Sequence, residues 1–477
     1  MKPVYGIWLR NNFRLQDQPV IQKAIEAART NDGTIIVFFH LHPYFLKKIH
    51  LHHDYFFQTL ERFRKDCQED SIRVHIIYGE NEEAFTTLTK EIPSLEAVFH
   101  LEDFTPFGRD RDEEVSIFLH SKGIETVALR GSHIHHPEEV LKDDGSPYQV
   151  FTPYYRQWAK QTKPSVVETN IKELISRQED VKAIDGQGEK HFENDVLKRC
   201  TMNWNALGES FARERLETFL DEGLINYEEW RDRPDCKGTS RLSPYIKTGT
   251  LSVRTIFHTV HDRIESAGKG AETYLKELAW RDFYAMIYSF YPQTKDQEYQ
   301  EKYRSISWNT DAELLEKWKK GETGFPIVDA GMRQLQSIGW MHNRLRMITA
   351  SFLTKDYQID WREGEKYFSE KLIDYDEASN IGGWQWAASV GTDAVPYFRV
   401  FNPTRQSERF DKDGRFIKKY VRELAHVPEK YIHEPMKMPK NVQADSQCSI
   451  GEDYPEPTVD HGLQRKRAIA LFKGENE

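Results

Sequence analysis

At roughly 100 to 200 residues per domain, a chain of 477 residues holds two or three domains, each with its own core. Lys+Arg 66 against Asp+Glu 76 leaves a net charge of −10, so bulk charge does not announce a nucleic-acid binder. No apolar run approaches the roughly 20 residues of a membrane span, and Met1 to Leu15 reads as a strand ending in polar residues instead of a signal peptide. The cytoplasm is therefore the expected compartment, with no membrane partner. Cys67, Cys200, Cys236 and Cys448 lack metal-site or disulfide spacing and read as free thiols. The unusual feature is 13% aromatic content, with nine of the eleven Trp between Trp204 and Trp386.

Short β-prone runs come first: Val4 to Leu9, Thr34 to Phe39, Val74 to Tyr78, Ala97 to Leu101 and Thr126 to Leu129. They alternate with amphipathic helical stretches such as Tyr55 to Cys67, where Phe56, Leu60 and Phe63 recur at spacings of 4 and 3. That alternation predicts a parallel, Rossmann-like α/β domain over residues 1–130. Neither a Walker A loop nor G-x-G-x-x-G follows the first strand, so neither familiar nucleotide motif is supported. Residues 131–200, rich in Pro, Gly, His and charge, read as a surface connector. His133, His135 and His136 are expected to be solvated loop histidines, because no carboxylate or Cys stands at metal-ligand spacing. From Trp204 helical periodicity takes over, predicting an all-α domain over 201–477.

Three helical segments carry candidate chemistry. Gly238 to Pro244 sets three hydroxyls and Arg241 ahead of a helix with Ser243 as N-cap and Pro244 as first helical residue. Such a start suits a diphosphate; a well-capped helix without ligand is the alternative. Glu277, Trp280 and Arg281 share one helical face, as do Asn343 and Met347. Taken alone, each set also fits a surface ion pair or a core stripe. In Asp374 to Trp386, Gly382 and Gly383 cost helix stability by about 1 kcal/mol each, which suggests close approach to the backbone. Trp384 and Trp386 point to nearly opposite helix faces.

With these motifs in hand, the chain resembles the photolyase and cryptochrome family over nearly its whole length. Trp8-Leu9-Arg10-Asn11-Asn12-Phe13-Arg14-Leu15 is similar to the family's opening Trp-Phe-Arg-x-Asp-Leu-Arg-Leu, with Asn12 replacing Asp. Thr-Ser-Arg-Leu-Ser-Pro-Tyr, Trp-Met-His-Asn-Arg-Leu-Arg-Met and Asn-x-Gly-Gly-Trp-Gln-Trp-Ala follow in order. The resemblance implies a U-shaped FAD in the helical domain. Tyr227, Thr239, Ser240, Arg241, Leu242 and Ser243 would hold its phosphate and sugar region. Asp374, Tyr375 and Asp376 would lie along flavin and ribose, with Arg346 paired to Asp374 and Asn380 facing flavin N5. Trp384, Trp361 and Trp308 match the family's electron-transfer triad. No metal is implied.

The cavity residues Glu277, Trp280, Asn343, Met347 and Trp386 match those that receive the flipped lesion in class I cyclobutane pyrimidine dimer photolyases. UV-damaged DNA is the implied partner, with Arg231, Lys247, Arg281, Arg344 and Arg405 as a basic rim. Residues Tyr397 to Arg422 add to that rim with eight Lys/Arg. The implied function is light-driven dimer repair by electron transfer from excited reduced FAD, in a monomer. The alternative is a cryptochrome-type blue-light photoreceptor, disfavoured because plant members usually carry Asp at position 380. Six-four photolyases carry a histidine pair where His342-Asn343 stands. An electron-transfer flavoprotein unrelated to DNA would leave Glu277 and the basic stretch without a task. Tyr274 replaces the family's Trp. An antenna chromophore (methenyltetrahydrofolate, a deazaflavin, a flavin or none) stays open, since Lys295-Asp296 stands where folate-type relatives have Cys-Lys.

Overall fold

The computed structural model describes residues 2–47 and 49–474, so the last three positions of the expected helical domain lie outside the described residues. The chain forms two compact units: Met1–Pro147, Thr152–Glu222 and Arg241–Pro292 make one, and Tyr148–Phe151, Gly223–Ser240 and Gln293–Glu477 the other. The helical segment 241–292 thus packs with the sheet-bearing residues.

In the first unit β1 (Val4–Leu9), β2 (Thr34–Leu41), β3 (Val74–Tyr78), β4 (Leu95–Leu101) and β5 (Glu125–Leu129) form one sheet in the order β3-β2-β1-β4-β5. Every pairing is parallel. Because strand side chains alternate, Ile7, Leu9, Val37 and Phe39 join Phe57, Leu60 and Phe63 on one face. Val4, Trp8, Ile36 and Phe38 join Phe85, Leu88 and Leu119 on the other. Each such side chain contributes about 1.5–3 kcal/mol by burial, which makes the period-2 pattern decisive for register.

Two buried arginines tie the loop after β1 to the segment 241–292. Arg254 pairs with Asp17 at 2.9 Å, and Arg14 donates to the carbonyl of Gly249 at 2.8 Å. Gly249 has φ of 65°, and a Cβ there would lie 1.9 Å from the Asn11 carbonyl oxygen, so only glycine fits.

The connector is more ordered than its composition suggests. It contains the helices α1 (Phe151–Lys160) and Ile171–Arg177. His133 and His135 are not solvated but buried, at 6% and 4% exposure. The Ile134 and His135 N–H groups are captured by a helix of the same unit, a long-range contact that loop composition does not encode.

His40, at the end of β2, is buried and bonded to the Gly79 carbonyl at 2.8 Å. Burial pushes it from 6.5 down to about 3. The unfolded chain therefore takes up a proton near 6.5 while the folded one does not, and stability falls as pH drops through that window. Replacing His40 with Gln removes this linkage. In urea unfolding, the wild-type slope between about pH 6 and pH 4 should exceed the variant's by about 1.4 kcal/mol per pH unit. Equal slopes would show that His40 titrates alike in both states.

The second unit does not include α2 (Ser243–Thr248) or α3 (Lys269–Phe290), which belong to the first. Its own helices include Pro326–Ile338, α4 (Asn343–Ser351), α5 (Trp361–Lys371), α6 (Glu377–Ala388), Pro403–Phe410 and α7 (His461–Lys473). Asp329 anchors Tyr454 at 2.5 Å and caps Thr323 and Gly324, while Asp356 holds His461 at 2.6 Å. Among the described residues no strand follows β5, and no helix is long and apolar enough to cross a membrane.

Candidate active site

The expected site residues are divided between the units. In the first, Arg241 adopts φ of 53°, the left-handed region that costs a non-glycine residue about 1 kcal/mol or more. The turn it makes leads into α2, whose N-cap is Leu242 without a side-chain cap bond. The expectation that Ser243 caps and Pro244 begins the helix is corrected: Ser243 is the first helical residue, because the left-handed turn at Arg241 starts the helix one position early.

α3 is buried over most of its surface, and Glu277, Trp280 and Arg281 are half-buried on it. Trp280 packs against Phe283 and Tyr284, each at 5.6 Å between ring centroids. Arg281 donates to the Ser132 carbonyl at 2.7 Å. Tyr274, the departure from the family pattern, packs on Phe219 at 4.8 Å.

In the second unit Arg231 lies over the Tyr227 ring at 5.6 Å, Thr239 is half-buried and Ser240 is buried. Asn343 is exposed at the start of α4, its amide 3.8 Å from the Met347 sulfur. Arg344, a rim candidate, pairs with Asp232 at 2.6 Å and covers Phe410 at 4.4 Å. Arg405 stands exposed, as do Arg399, Arg409, Lys412, Arg415, Lys419 and Arg422. Arg346 grips Asp374 through both carboxylate oxygens, at 2.7 and 3.0 Å, and donates to the Met341 carbonyl. Asp376 caps α6 through the Ser379 N–H.

Asn380 shows why it faces as it does. Its amide nitrogen donates to Glu365 Oε1 at 3.0 Å, and the Tyr375 hydroxyl donates to the same oxygen at 3.1 Å. The amide oxygen of Asn380 is thereby left for another donor. Burial pushes the Glu365 carboxyl up, opposed by these two hydrogen bonds.

Trp384 and Trp361 are buried, whereas Trp308 is half-exposed with Phe472 of α7 at its edge. Trp384 packs on Phe368 at 5.0 Å and on Trp318 at 6.0 Å. A Cβ at Gly364 would sit 2.0 Å from the Trp384 ring, so the indole occupies the place of a missing side chain. The Trp361 indole donates to Glu298, which Arg362 also holds. Trp386 is half-exposed, in keeping with the opposite faces expected of the two indoles. Glu365, Trp318, Glu298 and Gly364 had no sequence signal, since each acts through a contact distant in the chain.

Within each unit, taken by itself, the groups present suit part of a flavin nucleotide. The hydroxyl- and guanidinium-bearing turn offers donors for phosphate oxygens, and the buried indole N–H of Trp384 lacks an acceptor. Space lies open above Gly383, where an added Cβ would meet nothing within 4 Å.

Residues 6–173 match the DNA photolyase family and residues 274–474 its FAD binding domain. A deoxyribodipyrimidine photo-lyase of Alkalihalophilus pseudofirmus is 49% identical over 474 residues, spanning 99% of this chain and 98% of that one. The chain belongs to the DNA photolyase family. A class III photolyase from Agrobacterium tumefaciens superposes with a TM-score of 0.86 at 31% identity, covering 100% of this chain and 98% of that one. An archaeal photolyase from Sulfolobus tokodaii, solved with two FAD molecules, superposes at 0.81 with 28% identity, covering 99% and 100%. The photolyase family assignment brings with it the α/β-then-helical fold and the FAD-binding domain described above.

Proposed function

We propose that this photolyase repairs cyclobutane pyrimidine dimers in DNA under blue light, with residues 1–130 as its antenna-type domain, 131–200 as a connector and 201–477 as its FAD- and DNA-binding part. The observation that carries the reading is α3 itself. A helix buried over most of its surface offers one carboxylate, Glu277, and one flat ring, Trp280, on a half-exposed face.

Bound FAD supplies an electron on illumination. The remaining tasks fall to the chain. Trp280 and Trp386 stack on splayed bases, worth about 1–3 kcal/mol per base, and Glu277 hydrogen-bonds the pyrimidine edge. Extruding a damaged pair costs only a few kcal/mol, within reach of that stacking. Asn343 and Met347 line the same lesion-facing role. Asn380 offers its amide oxygen to the flavin edge, because Glu365 takes its nitrogen. Trp308, Trp361 and Trp384 form the electron route, and Arg231, Arg281 and Arg405 with the exposed run from Arg399 to Arg422 grip phosphates. A monomer suffices, since one chain carries every named group. Four free thiols suit the cytoplasm.

For the antenna we favour the C-terminal edge of the sheet. There Arg10 is buried over the Trp8 ring at 3.9 Å, and its Nε and Nη2 have no hydrogen-bond partner. Lys295 is committed to Glu377 at 2.8 Å, which weighs against the folate-type position.

The test is repair of a dimer-containing oligothymidine by the purified protein under blue light, with FAD content measured on the same sample. Recovery of intact thymine is expected. Normal FAD without repair would favour the photoreceptor reading instead.

A further inference from the structure

We infer that Asp282 is a positioning residue that sets how α3 presents Glu277 and Trp280, an inference that rests on the repair reading above. At 100° per residue, Asp282 lies about 200° around the helix from Trp280, so its side chain leaves α3 on the side away from the ring. It is 1% exposed. One carboxylate oxygen accepts from the His135 N–H and the Trp158 indole N–H, both at 2.9 Å, and the other from the Ile134 N–H at 3.4 Å. Its neighbour Arg281 donates to the Ser132 carbonyl at 2.7 Å. Two adjacent side chains of opposite charge therefore hold the loop backbone from 132 to 135.

The surroundings reinforce that grip. Trp158 is 2% exposed and packs on His135 and Phe257, both at 5.8 Å, while Tyr154 of α1 packs on Phe283 of α3 at 5.2 Å. The carboxylate faces three donors, so an acceptor-only group is required; an amide would set its own NH2 among them. The cationic side chains near it are Arg281 and Lys163, and the His135 ring is the other titratable group. Burial pushes the carboxyl up to about 6, a penalty that an apolar filling would avoid if packing were the only task. Loss of the clamp would let this part of α3 shift against the 132–135 backbone. A misplacement of about 1 Å at a reacting group can cost about 100-fold.

The test uses the full-length protein carrying FAD, with Asp282→Asn, Asp282→Glu and Trp158→Phe. Affinities for dimer-containing and undamaged oligothymidine, repair per bound lesion, FAD content and blue-light photoreduction are measured together. In Asp282→Asn, preference for the damaged strand and repair per bound lesion should each fall by about tenfold. FAD content, photoreduction and undamaged-strand affinity should stay at wild-type level. Asp282→Glu restores an acceptor-only group and should recover most of the loss. Trp158→Phe removes one donor and should lower the preference by about threefold.

Damaged-strand preference within about twofold of wild type in Asp282→Asn would overturn the inference. So would a parallel loss of FAD, photoreduction and both affinities, which marks a purely structural residue. Should Asp282→Asn not fold, an unchanged preference in Trp158→Phe overturns it equally. A wild-type protein without damaged-strand preference would sink the repair reading first, and this inference with it.

Discussion

Replacing Trp308 with phenylalanine is expected to abolish blue-light photoreduction of oxidised FAD while leaving dimer repair by chemically reduced protein intact. The choice of Trp308 separates electron supply from stability. Trp361 is buried and bonded to Glu298, so its replacement would also remove that hydrogen bond and leave a gap in the core. Trp308 is half-exposed and meets Phe472 edge-on at 6.1 Å, a contact that a phenyl ring largely keeps. The variant should therefore fold and bind FAD normally. The measurement is flavin absorbance during illumination, followed by repair after chemical reduction of the same preparation. Wild-type photoreduction in the variant would remove Trp308 from the electron route. Loss of repair in the chemically reduced protein would place Trp308 in lesion chemistry instead.

Removal of the Asp374 carboxylate should have the largest effect on stability. Its side chain is 2% exposed and that of Arg346 25%, with two charge-assisted contacts between them. Breaking a fully buried pair from one side costs about 3–5 kcal/mol, and the partial exposure of Arg346 puts Asp374→Ala at about 3 kcal/mol. FAD content should fall in parallel, because the Arg346 guanidinium loses the partner that fixes it. Thermal unfolding and the flavin-to-protein absorbance ratio report the two effects. An unchanged midpoint with full FAD would show that the pair neither stabilises the helical unit nor shapes its flavin site.

Where local chemistry decides structure, these expectations were legible. The bounds of β1 and β3 match those read from their β-prone runs, and β2, β4 and β5 extend theirs by one or two residues. Each strand is short and bounded by polar turns, and β1 to β4 are buried over most of their length, so period and composition suffice. The Arg346–Asp374 pair and the opposed exposures of Trp384 and Trp386 follow from motif and helical spacing. What failed was non-local. The connector composition said loop, yet Asp282 captures its backbone at Ile134 and His135, and His133 and His135 are buried. The left-handed Arg241 displaced the expected helix cap by one residue, and nothing in its side chain announces that conformation. The pairing of Arg344 with Asp232 was equally silent, because Asp232 lies more than a hundred positions away. Glu365 fixes the amide of Asn380 from a different helix.

Glu365 and Gly364 are neighbours, and the second has an evolutionary consequence. Since the Trp384 ring fills the space that a Cβ at 364 would need, the two positions cannot vary independently. A randomised library at 364 selected for folding should return glycine alone while 384 stays tryptophan. Alanine should become acceptable only where the residue at 384 is shortened, and then at the expense of the electron route. Among relatives, the pair should therefore covary as one unit, with the small residue acting as a footprint of the large ring opposite.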